Sequence, residues 1–117
     1  MIHRTRIGGC IATACVAAIL VAAAPAAAAR SCTTGKYPGS GYFTSLKVTK
    51  VGCKAGREVM LAHYRCRTEN GKKGRCKRTV LGYRCSERRN SIPTEINSRV
   101  TCKKGAKRVV YTYQQNT

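Results

Sequence analysis

CKAGREVMLAHYRCR, residues 53–67, is the stretch that decides how this chain folds. Ala55, Val59, Ala62 and Cys66 recur at helical spacing, with Met60 and His63 on the flanks. The spacing predicts a helix over 54–67, opened by Gly52 or Cys53 and stopped at Asn70-Gly71. Arg65 and Arg67 near its C-terminal end complement the helix dipole. Cys53 and Cys66 stand at opposite ends. At a rise of about 1.5 Å per residue they lie ~20 Å apart, too far to bond to each other.

On either side of the helix the period changes to two. In YFTSLKVTKV (42–51), Leu46 and Val48 alternate with Lys47 and Thr49, as in a half-buried strand. After the helix, TVLGYRC (79–85) puts Leu81, Tyr83 and Cys85 on one face, with a bulge or close packing expected at Gly82. ERRNSIPTEINS (87–98) reads as a polar connection through Pro93. RVTCK (99–103) turns Val100 and Cys102 inward, and RVVYTYQQ (108–115) does the same with Val109, Tyr111 and Tyr113. The class is therefore α+β: one helix packed on a small antiparallel sheet of about four strands, in the order β-α-β-β-β.

The N-terminus carries a different message. Arg4 and Arg6 precede an uncharged, alanine-rich stretch from Ile7 to Ala29 with its apolar centre at 11–21. Basic, apolar and small-residue regions in that order describe a secretory signal peptide. Ala27 and Ala29 suit the peptidase, so residues 1–29 are expected to leave and 30–117 to form a single secreted domain. An uncleaved N-terminal membrane anchor is the alternative, since a span needs ~20 predominantly apolar residues. Cys10 and Cys15 depart with the signal.

A chain this small buries a modest core and gains from covalent help. Six cysteines remain: Cys32, Cys53, Cys66, Cys76, Cys85 and Cys102. An even count in a short exported chain reads as three disulfides. No two of them stand within four positions of each other, so neither a zinc site nor a C-x-x-C redox pair fits. Cys66 and Cys76 are the expected pair that closes the loop between them. The other four allow three connectivities, of which Cys53–Cys85 with Cys32–Cys102 is preferred.

Cys32, VGCKAGREV (51–59) at the helix start, LGYRC (81–85) and VTCKKGAKRVVY (100–111) together resemble a loose group of small secreted proteins common in high-GC Gram-positive bacteria. The resemblance covers most of 30–117. It implies location and fold, with no activity assigned. Cys66, Cys76 and the basic loop look like additions to the group's pattern.

Charge is the dominant feature. The chain holds 23 Lys+Arg against four acids, Glu58, Glu69, Glu87 and Glu95, for a formal net charge of +19. Arg65, Arg67, Lys72, Lys73, Arg75, Lys77 and Arg78 form the densest run and are the candidate anion-binding residues. Arg84, Arg88 and Arg89 follow, and Arg99, Lys103, Lys104, Lys107 and Arg108 make a third cluster. A field of this size attracts polyanions with little specificity. An anionic envelope polymer is the expected partner of a monomeric protein. Nucleic acid is less favoured, because Tyr83, Tyr111 and Tyr113 fall on core faces and so are unavailable for stacking. Membrane disruption is disfavoured by the short, lightly apolar helix. A stapled loop over 66–76 could instead serve as an inhibitor or ligand of another protein.

No catalytic constellation stands out. His63 is the one histidine after residue 29, and oxidised cysteines offer no thiolate. The four glutamates are scattered, and no phosphate-binding glycine loop or serine elbow occurs. The reading is a non-enzyme with no cofactor and no small-molecule substrate.

Overall fold

The computed structural model describes residues 8–9, 11–19 and 28–117. Most of the expected signal segment, with Arg4, Arg6, Cys10 and Ala27, lies outside them. Among the described residues no helix is long and apolar enough to cross a membrane.

The fold is α+β and mostly sheet. Strands β1 (Arg30–Ser31) and β2 (Gly41–Thr49) precede helix α1 (Cys53–Thr68). Strands β3 (Arg84–Ile92), β4 (Glu95–Lys104) and β5 (Lys107–Asn116) follow it. All pairings are antiparallel, and the sheet runs β1-β2-β5-β4-β3. The sheet thus has five strands where about four were expected, the extra one being the two-residue β1 at its edge.

Helix α1 forms where its period demands and packs on one face of the sheet. Its buried stripe is Gly56, Val59, Met60, His63, Cys66 and Arg67. That stripe is rotated from the expected one, and Ala55 and Ala62 are only half-buried. The rotation follows from close approach at Gly56, where a β-carbon would come within 2.5 Å of Val48 Cγ1. The lack of a side chain there lets the helix lie directly on β2. Beneath it the core gathers Phe43, Leu46 and Val48 of β2, Ile96 and Val100 of β4, and Val109, Tyr111 and Tyr113 of β5.

Two stretches behave differently from their sequence reading. Residues 80–83 are a tight turn instead of part of a strand. Val80 and Tyr83 exchange backbone hydrogen bonds of 2.9 and 2.8 Å, and Leu81 and Gly82 both have positive φ, 49° and 79°. That is the geometry of a two-residue hairpin turn whose twist suits flanking strands. Residues 87–98 are not a connection. They are most of β3 and the start of β4, joined at Pro93-Thr94. Their inward positions include Glu87 and Arg89, so the strand carries no apolar alternation.

Three disulfides tie the elements together: Cys32–Cys53, Cys66–Cys76 and Cys85–Cys102. The Cys66–Cys76 link is the expected one. The preferred Cys53–Cys85 and Cys32–Cys102 pairs do not form. Strand order is the reason. Cys85 faces Cys102 directly across β3 and β4, with Cα atoms 4.0 Å apart. Cys32 follows β1 at the opposite edge, several strand spacings of ~4.8 Å away and beyond disulfide reach. It meets the helix start at Cys53 instead, Cα to Cα 5.6 Å. Each link closes a loop worth about 3 kcal/mol in restricted unfolded-chain entropy. Three such links belong to an oxidising compartment.

Candidate anion-binding surface

The basic run of 65–78 divides once folded. Arg65, Lys72, Lys73, Arg75, Lys77 and Arg78 are exposed. Arg67 is not: it is fully buried and cannot meet a polymer, which corrects its place among the candidate anion-binding residues. The cause is its position on the helix, one turn beyond His63 on the stripe that faces the sheet. Inside, Arg67 Nη2 donates to Tyr37 Oη at 2.6 Å and to Gln115 Oε1 at 3.0 Å. Its Nη1 reaches the carbonyl of Lys72 at 3.3 Å. The guanidinium also lies over the Tyr113 ring, 4.1 Å from its centroid. A buried cation survives only with partners of this kind.

A second arginine does matching work on the loop. Arg89, nearly buried, donates to the carbonyls of Lys73 (2.8 Å) and Gly74. It also pairs with Glu87, whose same carboxylate oxygen accepts from Tyr113 Oη at 3.0 Å. Gln115 Nε2 adds a bond of 2.8 Å to the Lys72 carbonyl. The loop is therefore held from within by its own carbonyls. Other loop charges are partly neutralised: Arg78 pairs with Glu69, and Arg75 Nη1 stands 4.0 Å from Glu87.

The titratable groups under the helix report the same enclosed setting. Burial lowers the His63 pKa to about 4, against the pull of nearby Glu87. The ring is neutral at pH 7 and hydrogen-bonds the Tyr111 hydroxyl. Burial also pushes the Tyr111 phenol well above its ordinary value. For Glu87, burial pushes the pKa up, but the Arg89 hydrogen bond and charge outweigh it and leave the carboxyl below its usual range. All six cysteines of 30–117 are in disulfides, so His63 has no thiolate beside it.

The other side of the sheet is different. Among the described residues no helix covers it, and its residues come from the outward register of four strands. Arg84 lies opposite Lys103, Lys103 opposite Arg108, and Arg88 opposite Arg99. Between these two cationic rows come Ser86, Thr101 and Val110, with Lys47 beyond on β2. Arg84, Arg88, Arg99, Lys103, Arg108 and Lys47 are all exposed. Among the described residues none of their side chains makes an ion pair or a hydrogen bond. Like charges directly opposite one another destabilise a sheet, and three such juxtapositions stand here without an intervening acid. The single acid on this face, Glu95, sits at the far end and is engaged by Asn97 and Gln114. Ser86, Arg88, Arg99 and Thr101 line a depression of about 270 Å³.

Sequence reasoning noted these cations as clusters but did not place them on one face. The signal is the two-residue spacing R-x-S-x-R (84–88) against R-x-T-x-K (99–103), which the polar, Pro93-containing stretch 87–98 conceals.

No protein-family model, curated protein or solved structure matches this chain.

Proposed function

We propose that this is a small exported cationic protein that binds anionic polymers outside the cell membrane by electrostatics, without catalysis. One observation carries the reading: a sheet face whose cations oppose each other across strands with no acid to relieve them. Such an arrangement costs stability, and a bound polyanion removes the cost. The charged N-terminal start, the apolar stretch behind it and the three disulfides support export through a cleaved signal ending near Ala29. On this reading the protein acts as a monomer and needs no cofactor.

A second reading rests on the loop of 66–76. Its staple and its captured carbonyls hold Lys72 and Lys73 outward on a rigid support. Pre-organisation of that kind suits insertion into an acidic pocket of another protein. Salt separates the two. Binding through many phosphate or sulfate contacts weakens steeply with salt. The purified domain 30–117, passed over a heparin or phosphate-rich resin, is expected to elute at far higher salt than a neutral protein of similar size. Elution alongside the neutral protein would overturn the polyanion reading.

A further inference from the structure

We propose that the uncovered sheet face, centred on Arg88 and Arg99, is a docking track for a linear, base-free phosphodiester chain such as a polyol phosphate. The inference rests on the polyanion reading and assigns its site and ligand. Three observations argue for it.

First, the Arg88–Arg99 pair faces itself across β3 and β4 and lines a depression together with Ser86 and Thr101. Two guanidinium forks and two hydroxyls are donors of the type that take a tetrahedral oxyanion. Second, the cations come in two rows. Arg84 with Lys103 and Arg88 with Arg99 are four residues apart along the same strands, or ~14 Å at ~3.4 Å per residue. One small anion cannot span both rows, whereas a chain with repeated charges can. Third, the track between the rows carries no aromatic ring. Tyr83, Tyr111 and Tyr113 are buried on the other side, and Tyr42, outward on β2, lies opposite Gln114, beyond both rows. Single-stranded nucleic acid sites depend on such rings for stacking. A track with phosphate donors and no stacking surface suits a backbone without bases.

The experiment measures affinity of residues 30–117 for two probes at several salt concentrations: an abasic phosphodiester oligomer and an oligothymidylate of the same length. Arg88→Gln/Arg99→Gln is compared with Lys72→Gln/Lys73→Gln, which removes the same charge from the loop. All four residues are exposed, so both variants are expected to fold. For the wild type, the two probes should bind within about threefold of each other. The Arg88/Arg99 variant should lose about tenfold or more at low salt. Its slope of log K against log salt should flatten by ~1.4, the value for two lost single-strand contacts. The Lys72/Lys73 variant should lose less than about threefold. A loop variant that loses as much as the sheet variant would overturn the site. Oligothymidylate binding about tenfold or more tighter than the abasic oligomer would overturn the base-free ligand in favour of nucleic acid. Failure of the wild type to bind either probe, with no retention on the resin, would overturn the polyanion reading itself.

Discussion

The two faces of the sheet handle positive charge in opposite ways. On the side that carries the helix, Arg67 and Arg89 are enclosed, and all their donor nitrogens but Arg67 Nε are engaged, by Tyr37, Gln115, Glu87 and the carbonyls of Lys72, Lys73 and Gly74. On the uncovered face, Arg84, Arg88, Arg99, Lys103 and Arg108 are exposed and oppose one another without such partners. The same residue type is thus a structural clamp on one side and unneutralised charge on the other. Density of charge along a sequence therefore does not locate a binding site. The densest run, 65–78, spends one arginine on the interior and has two more beside glutamates. The sparser cations of β3 to β5 are assembled by register.

The largest effect is expected at Arg67. Arg67→Met keeps the volume but removes the guanidinium's hydrogen bonds to Tyr37, Gln115 and the Lys72 carbonyl and its contact with the Tyr113 ring. Each hydrogen bond to a charged group contributes ~1.5–3 kcal/mol, so the expected loss is about 3 kcal/mol or more by urea unfolding. Arg88→Met on the open face should change stability by less than about 0.5 kcal/mol. Equal effects would mean that the two faces do not differ as described.

Acid sharpens the contrast. His63 has a pKa of about 4 in the folded protein against 6.5 unfolded. Between those values the unfolded chain binds more protons, so stability falls as the pH drops from 6.5 towards 4. The full window corresponds to about 3 kcal/mol. Glu87, whose folded pKa is lowered, adds a further loss in the same direction once the pH falls below its unfolded value of 4.5. Urea unfolding at pH 7 and pH 4.5 should show most of the His63 loss, and His63→Gln should flatten it. Arginine and lysine do not titrate there, so anion binding by the folded protein should be level over the same range. A stability profile unchanged by His63→Gln would contradict the buried neutral ring.

Much of the scaffold was readable from residue patterns. The helix declared itself through its 3.6 period, and β2 and β5 through alternation of Leu46 with Val48 and of Val109, Tyr111 and Tyr113. The Cys66–Cys76 link was expected as the closure of the basic loop between them, and it forms. Other features depend on what lies opposite. Arg67 continues the spacing of Gly56, Met60 and His63, yet an arginine on a buried stripe is legible only when its acceptors on Tyr37, Gln115 and Lys72 are known. The β3–β4 hairpin was hidden because Glu87 and Arg89 occupy inward positions that usually hold apolar residues. They are tolerated because they pair with each other and with Tyr113. The remaining disulfides waited on strand order, which sets Cys85 against Cys102 and leaves Cys32 beside Cys53. The open cationic face was lost with the hairpin, since only register brings Arg88 to Arg99.

A small expected shift in stability bears most directly on the claim that the open face holds its charge for a ligand. Arg99→Glu places an acid directly opposite Arg88, and such cross-strand pairs contribute about 0.2–1 kcal/mol. The decisive measurement is thermal unfolding of this variant and of the wild type, each with and without the abasic phosphodiester oligomer. Ligand that binds only the folded state raises the unfolding temperature. The variant should melt slightly higher than the wild type alone, and the oligomer should raise the wild type clearly more than the variant. A variant that melts lower alone, or that gains as much from the oligomer as the wild type does, would contradict the account.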